Sequence, residues 1–125
     1  MTENELSKII VNRCFKIHKT LGPGLLESVY EEILFYELNK QHLNCDRQVA
    51  IPFIYETITF DFGFRADFIV EKKVIIELKS IENVLPLHKK QLLTYLKLSG
   101  LKLGLLINFN TALIKDGITR IVDNL

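Results

Sequence analysis

The first 42 residues carry apolar side chains at the spacing of α-helices. They recur every three or four positions from residue 5 to residue 20, and again from Leu25 to about His42. Residues three or four apart share one face of a helix, so this spacing predicts two helices. Gly22-Pro23-Gly24 separates them, because glycine and proline end helices. The inward side chains of the second helix are expected to be those of Leu26, Val29, Ile33 and Leu34.

Beyond this point the pattern changes to that of β-strands, interrupted by one more helix. We expect that helix to open at Pro86 and to end at Ser99, since proline suits the first turn and Gly100 can stop the last. The predicted strands are 49–55, 58–60, 62–70, 74–79 and 103–109, followed by a hairpin of 113–115 and 118–122 around Asp116-Gly117. This order predicts an α/β fold with a mixed central sheet flanked by helices, in one domain covering residues 1–125.

Composition narrows the class of protein. The chain has 125 residues, of which 48% are hydrophobic and 25% charged, and its formal net charge is +1. Such a charge argues against a scaffold that grips nucleic acid by bulk electrostatics. Cys14 and Cys45 lack the spacing of a disulfide framework or metal cluster, which favours a reducing cytoplasm. The acidic N-terminus does not resemble a signal peptide, and no apolar run reaches the length of a membrane span, so no membrane partner is expected.

The most informative chemistry lies on two neighbouring predicted strands joined by a three-residue loop. With Val70 facing Val74, the same register places Asp67 opposite Glu77, with Lys79 on the same face. A slip by one residue would bury Glu77 and Lys79, so the apolar residues favour this register. The other face is expected to be wholly apolar and to lie in the core, with Phe64, Ala66, Phe68, Val70, Val74, Ile76 and Leu78.

Two readings of Asp67, Glu77 and Lys79 remain open from the strands alone. Two carboxylates held side by side repel each other, and a hard divalent cation such as Mg²⁺ relieves that repulsion. A nearby ammonium can orient a water or offset charge on a phosphoryl group, so the trio suits metal-assisted phosphodiester hydrolysis. The alternative is a surface charge cluster in which Lys79 pairs with Asp67 or Glu77.

Further candidates lie on the helices. Gln91 and Tyr95 share one face of the third helix, with His88 three residues before Gln91, and could contact a phosphate backbone. The alternatives are a half-exposed helix face and, for His88, a histidine that belongs to the helix start. Glu27, early in the second helix, is either a first-turn acid that suits the helix dipole or a third carboxylate reaching the same site.

These residues also carry a family resemblance. Asp67 followed by Glu77-Leu78-Lys79 resembles the signature of the PD-(D/E)XK nuclease superfamily, and Gln91-x-x-x-Tyr95 is similar to the extra motif of its RecB-like branch. Gly24-x-x-Glu27-x-x-Tyr30 matches the element that names the GxxExxY protein family. The resemblance extends over roughly residues 5 to 122, almost the whole chain.

The resemblance implies a restriction-endonuclease-like core with defined roles. Glu27, Asp67 and Glu77 are then metal-binding acids for Mg²⁺ or Mn²⁺, with the main-chain carbonyl of Leu78 as a further ligand. Lys79 positions or activates the attacking water. The two helix residues that support the site or the substrate backbone are Gln91 and Tyr95.

The leading hypothesis is therefore a metal-dependent nuclease that hydrolyses DNA phosphodiester bonds, with RNA as a second substrate to consider. The alternative is a non-catalytic module that keeps the nuclease fold and binds nucleic acid or a protein. A homodimer in which two copies share one duplex is a third arrangement.

Overall fold

The computed structural model describes residues 1–125, and its elements follow the predicted α/β order. The helices are α1 (Glu3–Leu21), α2 (Glu27–Lys40) and α3 (Pro86–Ser99). The strands are β1 (Cys45–Ala50), β2 (Phe53–Tyr55), β3 (Ile58–Phe60), β4 (Arg65–Val70), β5 (Val74–Lys79), β6 (Leu103–Asn108) and β7 (Ile118–Val122). Five strands form the main sheet in the order β1-β4-β5-β6-β7, and β2 pairs with β3 in a separate hairpin.

The main sheet is mixed, as the sequence predicted. β5 and β6 run parallel, while the pairs β1–β4, β4–β5 and β6–β7 are antiparallel. A parallel pair needs a crossover connection, and α3 supplies it between β5 and β6. Both strands of this pair are buried over nearly their whole length, which explains their continuous apolar sequence.

Two apolar clusters cover the two faces of the sheet. The larger one packs α1 and α2 against the sheet through residues such as Ile10, Leu34 and Ile76. The smaller one lies under α3 and includes Ile75 and Leu92. Ile75 and Ile76 point to opposite faces because successive residues of a strand alternate. β5 therefore contributes core residues to the helix layers on both sides of the sheet.

The second helix is shorter than predicted. It begins at Glu27, so the segment from Leu25 to Leu26 belongs to the preceding loop. Leu26 and Val29 are 73% and 38% exposed, and the expectation that they point inward is wrong for both. Leu34 lies in the core as predicted, and Tyr30 at the end of the first turn joins it there.

The predicted strand 49–55 divides into two. β1 ends at Ala50, and β2 begins at Phe53 in the other sheet. The Ile51 N–H still donates to the Phe64 carbonyl at 2.9 Å, but Pro52 has no N–H with which to extend the ladder. The chain therefore leaves the main sheet at Pro52, and β4 correspondingly begins only at Arg65.

The predicted final hairpin is wrong in its first arm. Residues Ile114–Gly117 form a 3₁₀ turn rather than a strand, and β7 pairs with β6. Ile114 is buried in the larger cluster, which draws this segment out of an extended conformation. A Cβ on Gly117 would lie 2.1 Å from the Asn108 carbonyl oxygen, so only glycine fits where this turn meets the end of β6.

Candidate active site

The register of β4 and β5 agrees with the sequence prediction. Val70 pairs with Val74, and the paired residues continue as far as Phe68 and Ile76. At the next position side chains replace the regular ladder. The Asp67 N–H donates to Glu77 Oε1 at 3.1 Å, and the Leu78 N–H donates to Asp67 Oδ2 at 2.8 Å. These two bonds hold both carboxylates at the same end of the strand pair.

The expectation of one continuous apolar face on β4 is wrong. Phe68 belongs to the larger core cluster, whereas Ala66 belongs to the smaller cluster and Phe64 packs against it. The alternation breaks at Asp67, which lies between them. Opposite Asp67, the ladder with β1 is interrupted at Gln48, a residue with φ of 51°. A left-handed backbone is unfavourable for a residue with a Cβ, and such strain concentrates at functional sites.

Gln48 is a site residue that sequence reasoning missed. Its Nε2 donates to Asp67 Oδ1 at 3.3 Å and to Glu31 Oε1 at 2.5 Å. It therefore links a strand acid to an acid on α2, one helical turn after Glu27. An exposed glutamine in a strand carries no sequence signal for this role, because the contact depends on the packing of α2 over β1.

Glu27 is held beside the strand acids by a clamped loop. Tyr30 Oη donates to the Gly22 carbonyl and accepts from the Leu25 N–H, and its ring stacks on Phe109 with centroids 4.3 Å apart. Tyr30 is fully buried. The tyrosine of the Gly-x-x-Glu-x-x-Tyr element thus fixes the loop that precedes Glu27.

The loop is also tied directly to the end of β5. Ser80 Oγ donates to the Leu25 carbonyl at 2.6 Å. Asn108, which is paired in register with Lys79, binds both the N–H and the carbonyl of Ile81. The one signal of this role in the sequence is the position of Ser80, directly after Lys79 at the end of β5.

The carboxylates influence each other electrostatically. Glu77 is 8% exposed, and burial raises its pKa to about 8, with a further contribution from the Asp67 carboxylate. Burial also raises the pKa of Glu27, again with a contribution from Asp67. The Lys79 ammonium acts in the opposite direction on both groups, so it lies near enough to interact with each.

Lys79 forms no ion pair with these acids. The five ion pairs in the protein join Glu31, Glu32 and Glu37 to cations other than Lys79. The arrangement therefore lacks the Lys79–Asp67 or Lys79–Glu77 salt bridge that the surface-cluster reading requires. The ammonium of Lys79 stays free to interact with a bound molecule.

The α3 residues occupy different environments. Tyr95 is 4% exposed, and its pKa is raised by burial and by the Glu77 carboxylate, so it lies beside the acids. Gln91 is exposed one turn earlier, next to Phe64. His88 Nδ1 accepts the Leu85 N–H at 3.0 Å, so this histidine belongs to the helix start.

The donor chemistry of the site fits a hard divalent cation in part. Asp67 and Glu77 supply carboxyl oxygens, the ligands that Mg²⁺ and Mn²⁺ prefer, and neither group takes part in an ion pair that would offset their repulsion when both are ionised. No three acidic, histidine or cysteine side chains are grouped as a ready metal site. Glu27 is thus a neighbour of the pair rather than a preformed third ligand. The Leu78 main chain adjoins Asp67 through its N–H.

Comparison with known proteins gives one family. A family model described as the PD-(D/E)XK nuclease superfamily matches residues 4–121. Neither the curated proteins nor the solved structures contain a match. None of the three helices is long and apolar enough to cross a membrane. The match spans nearly the whole chain and agrees with the mixed sheet and the paired acids of β4 and β5, so the chain belongs to the PD-(D/E)XK nuclease superfamily.

Proposed function

We propose that this protein is a metal-dependent nuclease that hydrolyses phosphodiester bonds in DNA. The observation that carries the proposal is the reciprocal pair of hydrogen bonds between the β4 and β5 segments at Asp67, Glu77 and Leu78. They hold two carboxylates together while Lys79, two residues on, has no ion-pair partner. The superfamily membership supports the same reaction class.

The residues divide the chemistry between them. Asp67 and Glu77 would hold Mg²⁺ or Mn²⁺, with Glu27 and the Leu78 carbonyl as additional ligands. An ion held there would make a water more acidic and would offset charge on the phosphoryl oxygens. Glu77 must be deprotonated to act as a ligand, which links activity to its raised pKa.

The remaining residues act on the water and the substrate. Lys79 orients the attacking water and offsets the negative charge that develops on the phosphoryl oxygens in the transition state. Tyr95 lies beside Glu77 and limits the movement of its carboxyl group. Gln91, which is exposed, contacts the substrate backbone. The RecB-like and GxxExxY assignments belong to this proposal and are supported by Gln91, Tyr95, Glu27 and Tyr30. We further propose a single domain that acts in the cytoplasm.

A non-catalytic module is the second candidate, and one observation favours it. The acids do not form a group of three around a common point. A protein that kept the fold for binding alone would need no such group. RNA as substrate and a homodimeric arrangement are further variants of these two functions.

A cleavage assay decides between them. Linear, circular and single-stranded DNA are incubated with Mg²⁺ or Mn²⁺ and wild-type protein, Glu77→Gln, Lys79→Ala or the control Lys102→Ala, which changes an exposed lysine outside the acid cluster. We expect loss of at least about 100-fold for the first two variants, typical of removing charge stabilisation, and full activity for the control. Equal cleavage by all four proteins would assign the activity to a contaminant, and no cleavage by any would favour the binding module.

A further inference from the structure

The hairpin of residues 51–64, which contains β2 and β3, exposes an unusual amount of apolar surface. Phe62 is 69% exposed, and Ile54, Tyr55 and Ile58 are 57–70% exposed. The hairpin forms a two-stranded sheet of its own. Clustered exposed apolar side chains of this kind mark a surface that meets another molecule.

Aromatic rings connect this hairpin to the candidate active site. Phe62 lies edge-on to Phe60 at 5.7 Å, and Phe60 stacks on Phe53 at 5.0 Å. Phe53 meets Phe64 edge-on at 5.2 Å, and Phe64 meets Tyr95 edge-on at 5.7 Å. Tyr95 in turn lies beside the Glu77 carboxylate. A continuous row of rings therefore extends from an exposed phenylalanine to the acids.

Two cavities beside the row combine an aromatic wall with a lysine of α3. The first, of about 350 Å³, is lined by Phe53 and Lys97 among others, and the second, of about 330 Å³, by Phe64, Lys90 and Gln91 among others. No acidic side chain lines either cavity. Lys90 and Lys97 are seven residues apart on one face of α3, about 10 Å along its axis.

The acids of the hairpin limit where an anionic ligand can lie. Glu56 occupies the turn between β2 and β3, and Asp61 follows β3. Both are exposed, and both would repel phosphates. The favourable path for a phosphate backbone is therefore the α3 side, where Lys90 and Lys97 lie.

We propose that the hairpin and the adjoining face of α3 bind an unpaired nucleic-acid strand, which makes single-stranded or frayed nucleic acid the substrate class of the nuclease. The proposal rests on the function proposed above. Exposed ring faces stack on unpaired bases regardless of sequence, and lysines along the path neutralise the phosphates. Bases inside a duplex keep their faces covered by neighbouring pairs, so the surface discriminates against intact duplex.

Binding is tested separately from cleavage. Fluorescence anisotropy with a fluorescein-labelled 20-nucleotide strand, free or in a blunt duplex, is measured for the full chain in EDTA so that no hydrolysis occurs. The variants are Phe62→Ala, Phe62→Leu and Lys90→Ala/Lys97→Ala. The matched controls are Tyr36→Ala, an aromatic residue 62% exposed on α2, and Lys19→Ala/Lys115→Ala, two exposed lysines outside both cavities.

We expect wild type to bind the single strand more tightly than the duplex. Both Phe62 variants should bind the strand roughly tenfold more weakly, since leucine keeps the apolar volume but not the ring face. In the Lys90→Ala/Lys97→Ala variant, the negative slope of log affinity against log salt concentration should become shallower by about 1.4, because two phosphate contacts are lost. Neither control should change binding.

The opposite results would refute the proposed strand-binding surface but would not test whether the protein is a nuclease. Equal affinity for strand and duplex, or unchanged strand binding by Phe62→Leu, would refute stacking. If sedimentation shows that Phe62→Ala abolishes self-association while strand binding is unchanged, the hairpin is a contact between copies and the proposal is wrong. If the strand binds through Phe62 but no Mg²⁺-dependent cleavage occurs, the nuclease function is refuted and the binding surface stands. If Phe62→Ala cleaves single-stranded nucleic acid as fast as wild type, the binding surface is refuted and the nuclease function stands.

Discussion

The main-chain nitrogen of Asp67 lies 3.1 Å from the Glu77 carboxylate oxygen that accepts its hydrogen bond. The bond places one acidic side chain against the backbone of the other, and the Leu78 N–H completes the exchange by donating to Asp67. Two acidic groups are therefore held together by neutral donors rather than by a cation. Ionising both of them costs free energy in the metal-free protein, and the first two predictions follow from that cost.

Stability of the metal-free protein should fall as the pH rises through the titration of Glu77. Its pKa is 4.5 ordinarily and is raised to about 8 by burial and by Asp67. Between these values the folded protein keeps a proton that the unfolded chain releases, so the contribution is complete below pH 4.5 and is lost by about pH 8. Thermal melts in EDTA should show Glu77→Gln melting at least about 5 °C above wild type at pH 9. The two proteins should melt alike near pH 4.5, and a constant difference at every pH would contradict the assignment.

Divalent metal should stabilise the protein through the same acids. At 10 mM Mg²⁺ and a dissociation constant of about 1 mM, binding to the folded state adds about 1.4 kcal/mol. We expect the melting temperature at pH 8 to rise by a few degrees with MgCl₂ and to stay constant with KCl of equal ionic strength. Asp67→Asn should lose the response, while Asp116→Asn, an exposed acid in the 3₁₀ turn, should keep it. An equal response in both variants would place the metal elsewhere.

Ser80 should position Glu27 without contributing much to folding. Ser80→Ala removes the bond to the Leu25 carbonyl and loosens the loop that leads into α2. Because small displacements of a catalytic group are costly, we expect kcat to fall by roughly tenfold, with KM and the melting temperature nearly unchanged. Ser99→Ala removes a similar serine–carbonyl bond at the end of α3 and should leave kcat at the wild-type value. A fall in stability that matches the fall in activity would indicate a structural role instead.

Gln48 should combine backbone strain with a role in the site. Its φ of 51° favours glycine, so Gln48→Gly should be more stable than Gln48→Ala by about 1 kcal/mol, since both lose the same side-chain amide. Both variants should cleave more slowly than wild type to the same extent, because neither can bridge Asp67 and Glu31. Urea unfolding and cleavage rates check the two halves independently. Equal stability of the two variants would show that the strain is relieved elsewhere.

The sequence by itself determined the α/β order, the register of β4 and β5 and the proximity of Asp67 to Glu77. These features depend on periodicity and on one short loop, which are local properties of the chain. Sequence reasoning also assigned His88 to a helix start as one of its two readings, and the bond to Leu85 agrees with that reading.

Tertiary structure alone decided how the remaining groups meet. The exit of the chain at Pro52, the 3₁₀ turn at Ile114 and the break in alternation at Asp67 all depend on which elements pack against them. Gln48 and Ser80 reach their partners across 19 and 55 residues of sequence. The first contact depends on the pairing of β1 with β4 and the second on how the loop before α2 packs against the end of β5, and a local pattern carries no information about either.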